Sequence, residues 1–263
     1  MEGYDASTYG DRFADVYDDW YSTVTDVAAC TERLAALAAE VGGGPILELG
    51  VGSGRLALPL AERGLEVHGI DASSAMLDRL RAKPGGAAIR LIHGDMAALD
   101  LPDAPRFAVV FVAFNTFFNL GTIAEQERCL ALVATLLAPN GCFVLEAFVP
   151  PDDGPPVEDA VTPRRLAVDE VVLSVSHHDR AAQTISGQHV HLTEAGTRLR
   201  PWHLRYATPD QLDAMAATAG LALCWRDAGW MHEPFGPDAS VHVCAYGRSN
   251  VRTVHPGAAD HHR

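Results

Sequence analysis

Two carboxylates bracket a glycine loop in the stretch PILELGVGSGRLALPLAERGLEVHGID, residues 45–71. Glu48 sits near the end of a short apolar run, Gly50, Gly52 and Gly54 alternate behind it, and Asp71 closes a second apolar run at 65–70. Glycines let a backbone turn sharply and lie against a ligand where a Cβ would collide. An acid at a strand tip can accept hydrogen bonds from both hydroxyls of a ribose. Strand, glycine turn, helix, strand and acid describe half of a nucleotide-binding crevice.

The spacing selects the nucleotide. A dinucleotide fingerprint carries its third glycine three positions after the second, and Arg55 stands there. An NAD-dependent dehydrogenase is the competitor that this spacing disfavours. The E-x-G-x-G-x-G pattern from Glu48 to Gly54, with Asp71 at the next strand end, resembles motif I of class I S-adenosylmethionine-dependent methyltransferases. The resemblance implies S-adenosyl-L-methionine as cofactor and S-adenosyl-L-homocysteine as product. It further implies Asp71 on the ribose, and Gly94, Asp95 and Met96 around adenine, the acid accepting from the exocyclic amine.

Other side chains follow from position. Ala72 succeeds Asp71, and Met76 lies one turn into a serine-capped helix, able to meet a flat base or to serve as plain core. Residues 107–114, FAVVFVAF, read as a strand buried on both faces, with Ala113 and then Asn115 at its C-terminal end, where open α/β sheets place ligands. Of the adjacent rings Phe117 and Phe118, one should pack and the other face the ligand; Phe117 is expected to wall the reacting centre and Asn115 to orient cofactor or acceptor.

Tyr9, Phe13, Tyr17 and Trp20 recur at helical spacing and make one aromatic stripe. Packing accounts for most of such a stripe. A lid over the cofactor accounts for the rest, since aromatic faces attract a cation such as a sulfonium by about 0.5–2 kcal/mol. The element F-A-D-x-Y-D-x-x-Y, residues 13–21, resembles the N-terminus of actinomycete small-molecule N-methyltransferases. That resemblance implies Tyr9 and Tyr17 in the active centre, with Trp20 among the cofactor contacts.

The elements that must position these groups alternate. Helical periods at 26–41, 55–63, 74–81, 123–137 and 208–219 separate apolar runs at 45–49, 65–70, 89–92, 107–114, 142–149, 221–225 and 241–246. This is α/β, a doubly wound seven-stranded sheet, Rossmann-like in the manner of the resembling family, with an N-terminal helical lid. After the proline-rich stretch 150–156 the period changes to two, and three antiparallel strands are expected at 167–176, 184–193 and 197–206 as an inserted ribbon. The expected division is a lid at 1–42, a cofactor-binding core at 43–150, the insertion at 151–206, the rest of the core at 207–248 and a polar tail at 249–263.

Composition narrows the partners. A net charge of −14 opposes nucleic acid and anionic membrane surfaces. No apolar run approaches the roughly 18–20 residues of a membrane span, and the polar N-terminus is no secretory signal, so a cytoplasmic location is expected. Cys30, Cys129, Cys142, Cys224 and Cys244 lack C-x-x-C spacing and read as free thiols, with no iron–sulfur cluster. His177, His178, His189, His191 and His203 crowd the insertion without a nearby carboxylate or thiol, so no metal site is expected, although one of them could act as a general base. Ribbon edges invite pairing, and a homo-oligomer is expected.

The expected reaction is methyl transfer to a small-molecule amine, which brings its own lone pair and needs no dedicated base. Asp11, Asp18 and Asp19 would attract a cationic acceptor at long range, or simply form a solvated face. Over its whole length the chain is similar to N-methyltransferases of actinomycete antibiotic pathways, those of lincosamide biosynthesis above all. The resemblance implies the prolyl ring nitrogen of a lincosamide precursor as acceptor, with amino sugars as the nearest alternative. An O-methyltransferase with a histidine base and a non-catalytic binder of the cofactor are the rivals.

Overall fold

In the computed structural model the described residues are 1–98, 101, 104–151 and 153–249, so the expected tail lies outside them save for Ser249. The aromatic stripe does not form one helix. It breaks into α1 (Thr8–Phe13) and α2 (Tyr17–Trp20), each too short to hold its own shape without contacts elsewhere. Asp15, at the break, pairs with Arg198 and Arg200 of the insertion, and this pull turns the two halves of the stripe apart.

The core follows as α3 (Val27–Glu40), β1 (Ile46–Leu49), α4 (Ala57–Glu62), β2 (Val67–Asp71), α5 (Ser74–Ala82), β3 (Arg90–His93), β4 (Phe107–Val112), α6 (Ile123–Leu136) and β5 (Leu137–Phe148). The insertion holds β6 (Val157–Leu166), β7 (Glu170–Asp179), β8 (Thr184–Thr193) and β9 (Gly196–Arg205). The core resumes with α7 (Pro209–Thr218), β10 (Leu221–Asp227) and β11 (Val241–Arg248).

The main sheet is seven-stranded in the order β3-β2-β1-β4-β5-β11-β10, parallel except for β11, which runs antiparallel to both neighbours. Every residue of β4 is buried, as a strand covered on both faces requires. Leu34, Leu37, Leu60, Leu77 and Leu80 from α3, α4 and α5 cover one face. Leu130, Val133, Leu212 and Met215 from α6 and α7 cover the other. Strand order reverses between β1 and β4, which opens a crevice at their carboxyl ends. Within residues 1–42, α3 is therefore a layer helix of the core, and the part that covers the crevice precedes Asp26.

The insertion is a four-stranded antiparallel sheet, β6-β7-β8-β9, where three strands were expected. The fourth, β6, is an edge strand with a register shift between Pro163 and Arg165 and almost no buried position, so no alternation of apolar residues betrays it. Pairing of Ser174 with His189 and of His189 with Arg200 puts these three on one face, the one turned to the lid. Among the described residues no cluster of ligands suits a metal ion, and no helix is long and apolar enough to cross a membrane.

A polar joint fastens the insertion to α6. The buried Gln126 donates from Nε2 to the Arg205 carbonyl at 2.7 Å, and Arg205 donates from Nη1 to Gln126 Oε1 at 2.7 Å. Gln126→Ala leaves a buried guanidinium short of an acceptor, so it should cost about 2–3 kcal/mol in chemical denaturation. A loss below about 0.5 kcal/mol would mean that water replaces the amide without penalty.

Candidate active site

The end of β2 organises the crevice. Asp71 accepts the Gly52 N–H on one oxygen and the Ser73 N–H on the other, both at 2.8 Å. Burial pushes its carboxyl above the ordinary value, while the two N–H bonds act against that shift. Gly52 has φ +53°, and a Cβ there would enter open space beside the acid. Ser73 caps α5 through Met76 N–H at 3.1 Å, and its hydroxyl donates to Asp11 of the lid at 2.6 Å. Gly10 lets α1 come this close, since a Cβ would stand 2.4 Å from that of Ser73.

The lid is pinned a second time by Asp18, which accepts from the Ser53 hydroxyl at 2.5 Å and from Lys83 Nζ at 2.8 Å. Burial raises the Asp18 pKa, but the bonds from Lys83 and Ser53 outweigh it and hold the carboxyl below its usual range. Asp11 and Asp18 are thus fastenings engaged by protein partners, where long-range attraction of a cation or a solvated face was expected.

Between lid and loop runs a cleft lined by Tyr9, Tyr17, Gly50, Gly52, Asp71, Ala72, Met76, Gly94, Asp95 and Met96, all anticipated from sequence. Tyr4, Ala6, Gly10, Thr116, Asn119 and Leu120 line it too and were not anticipated. Gly10, standing among aromatics and acids, was the readable sign of a close approach.

Six anticipated residues fall outside this lining, among them Asn115, which borders the second cavity described below. Phe117 is fully buried with Phe118 in the core under α6, because the single turn that follows Asn115 aims both rings inward. It does not wall the reacting centre; Phe114 lies on the cavity side instead. Trp20 packs on His189 and His191 of the insertion, drawn there with the Asp15 break. Gly54 faces Leu80, and Ala113 is buried with its carbonyl accepting Thr116 N–H at 3.2 Å. Glu48 is buried beneath the loop beside Arg55, and burial pushes its pKa up to about 8. Arg55 in turn lies against the Tyr17 hydroxyl and over the Phe114 ring at 5.7 Å, so Glu48 bears on the lid through Arg55.

A second cavity of about 330 Å³ adjoins the first, and Tyr9, Tyr17, Thr116 and Asn119 border both. Its inner wall is a forced turn. Phe114 and Asn115 both adopt left-handed φ values, 48° and 63°, which non-glycine residues hold only when surroundings compel them. Here Glu146 accepts the Phe114 N–H at 2.8 Å, and Asn115 Oδ1 accepts the Phe148 N–H at 2.7 Å. Asn115 therefore braces the chamber. The opposite wall comes from the insertion: Arg164, Ser174, Ser176, His189, Trp202 and Leu204.

The chamber's titratable groups are held neutral or fixed. Burial lifts the Tyr9 phenol well above its ordinary value, and burial likewise raises Tyr17 against the pull of Arg55. Neither is a phenolate at neutral pH. Burial pushes the His189 pKa down to about 4.

Comparison with known proteins gives this geometry its context. A methyltransferase domain family matches residues 46–141. The chain is 30% identical over 239 residues to the cypemycin N-terminal methyltransferase of a Streptomyces species, a match covering 88% of this chain and 94% of that one. The chain belongs to the S-adenosylmethionine-dependent methyltransferases. The solved structure of the CcbJ methyltransferase from Streptomyces caelestis is 42% identical, with a TM-score of 0.86, covering 93% of this chain and 99% of that chain. The amino pentose methyltransferase CalS10, solved with S-adenosylmethionine bound, shares the fold at 24% identity and a TM-score of 0.61. The family-wide segment contains Glu48, the glycine loop, Asp71 and Asp95, whereas Tyr9, Tyr17 and the insertion lie outside it.

The residues of this methyltransferase fit its cofactor. Each Asp71 oxygen spends one lone pair on the protein and keeps another for a ribose hydroxyl, beside a glycine backbone open to the cleft. Two measurements check the site. Asp71→Ala should weaken S-adenosylhomocysteine binding by roughly 10–100-fold in calorimetry, since hydrogen bonds to a charged group carry about 1.5–3 kcal/mol. For Glu48, whose pKa rises from 4.5 to about 8 on folding, the stabilising protonated form is fully present below pH 4.5 and is lost as pH climbs through 8. Glu48→Gln should therefore gain stability relative to wild type as pH is raised across that window, and a pH-independent difference would refute the buried-acid assignment.

Proposed function

We propose that this methyltransferase acts on the nitrogen of a small-molecule amine in antibiotic biosynthesis, with the prolyl ring nitrogen of a lincosamide-type precursor as acceptor. The observation that carries the reading is the second chamber, which meets the cofactor cleft at Tyr9, Tyr17, Thr116 and Asn119. The cofactor, when bound, supplies a methyl group on a positively charged sulfur, already activated for transfer. The chain then has to orient an acceptor and keep water out.

The chamber suits a nucleophile that carries its own lone pair. Among the described residues that line it, none offers a free basic site at neutral pH. Tyr9 and Tyr17 stay protonated, and His189 turns one ring nitrogen to Arg164 at 3.3 Å while its pKa falls to about 4. An alcohol would need a base there, and a neutral amine does not. The phenols of Tyr9 and Tyr17 can align an amine by hydrogen bonds without taking its proton. The cypemycin relative is named an N-terminal methyltransferase, and the likeness to the CcbJ methyltransferase of Streptomyces caelestis covers 93% of this chain, which supports the reading.

The test is incubation with methyl-labelled S-adenosylmethionine and a panel of desmethyl lincosamides, desmethyl amino sugars and phenols, with mass spectrometry to locate the label. Label on the prolyl nitrogen is expected, with kcat/KM falling about tenfold per pH unit below the acceptor's own pKa, because only the neutral amine reacts. Label on oxygen, or a profile that follows an enzyme histidine, would overturn the N-methylation reading.

A further inference from the structure

We propose that the insertion side of the acceptor chamber is a carboxylate subsite, in which Arg164, His189 and Trp202 hold an anionic group of the acceptor while its nucleophile faces Tyr9 and Tyr17. The inference rests on the assignment of this chamber to the acceptor and adds that a free carboxylate on the acceptor, separate from the prolyl linkage, strengthens its binding.

Arg164 is the charged side chain of the chamber lining, which includes no carboxylate. Among the described residues it forms no ion pair, although it also borders a neighbouring hollow that contains Asp19. Glu170 of the insertion is already engaged by Arg165 and His191, and Asp15 of the lid by Arg198 and Arg200. The guanidinium of Arg164 lies 5.8 Å from the Tyr21 ring centroid, which steadies it at the edge of the lid.

Its contact with His189 fixes a proton. Arg164 Nη1 stands 3.3 Å from His189 Nε2. A guanidinium only donates, so Nε2 must present its lone pair, and the ring hydrogen must sit on Nδ1. That Nδ1 is buried and has no partner among the described residues, on a residue only 3% exposed. The indole Nε1 of Trp202, on the same face of the insertion, is likewise buried and without an acceptor. Native proteins pair nearly all buried donors, and a group that supplies several lone pairs at once resolves this surplus. A carboxylate, with two oxygens and a negative charge, matches a chamber wall that holds a guanidinium and two N–H donors.

The probe pair is N-acetylproline and N-acetylprolinamide, titrated calorimetrically into protein saturated with S-adenosylhomocysteine. The blocked nitrogen keeps the result independent of which acceptor atom is methylated. The acid should bind about tenfold more tightly than the amide, the order of one charge-assisted hydrogen bond. Arg164→Gln should bring the two within about twofold, Trp202→Phe should weaken the acid alone, and neither should change affinity for S-adenosylhomocysteine, which guards against misfolding. Equal binding of the two probes, no binding of either, or an acid preference that survives in Arg164→Gln overturns the subsite. Methyl transfer to unblocked prolines is scored separately: an acid preference without N-methyl product sinks the amine reading and leaves the carboxylate subsite standing.

Discussion

One half-buried carboxylate ties the site together. Asp71 bridges the glycine loop and the start of α5 by accepting from Gly52 and Ser73, and Ser73 passes the connection on to Asp11 of the lid. Burying an acid is costly unless its charge is answered by directed donors, and here two backbone N–H groups answer it. Loop, cap and lid consequently share one origin. The positions of Gly52, Ser73 and α1 cannot drift separately, because each is measured from the same pair of oxygens.

The second consequence concerns charge. A chain of −14 invites the view that its surface draws in cations. The lid argues otherwise at the place where it matters. Asp11, Asp15 and Asp18 are spent on Ser73, on Arg198 and Arg200, and on Ser53, Lys83 and Arg79. Their negative charge serves to hold the lid against the glycine loop on one side and the insertion on the other. The fixed charge that remains at the acceptor chamber is positive and belongs to Arg164. Net charge described the exterior and misjudged the interior.

What could be read in advance divides along the same line. The sheet was legible because strands buried on both faces spell continuous apolar runs, as in β4, and because a helix start such as that of α5 carries its serine cap, Ser73. The cofactor cleft was legible because Gly50, Gly52 and Asp71 act within one strand–turn–strand unit, where spacing along the chain is distance in space. The break in the aromatic stripe was not, since it depends on a pairing of Asp15 with Arg200 across 185 positions of sequence. Nor was β6, an edge strand whose side chains face water on both sides. Phe117 and Phe118 were adjacent rings with one local pattern, and only the left-handed turn at Phe114 and Asn115, imposed by Glu146, decides that both go inward.

Lid and insertion also make the two halves of the site interdependent. Tyr9 and Tyr17 border the cofactor cleft and the acceptor chamber alike, and Trp20 of the same lid rests on His189 of the chamber's far wall and on His191 of the same strand. One lid thus supplies a wall to both cavities. Calorimetric titration of either ligand should therefore show the same change in affinity when the other is present, in either order. The Asp15 ion pairs with Arg198 and Arg200 join the break between α1 and α2 to the strand that carries Trp202. Methyl transfer requires both ligands together, with water excluded, and a lid fastened to the cofactor loop by Asp11 and Asp18 and to the acceptor wall by Asp15 meets that requirement from a short, interrupted helical segment that could not fold by itself.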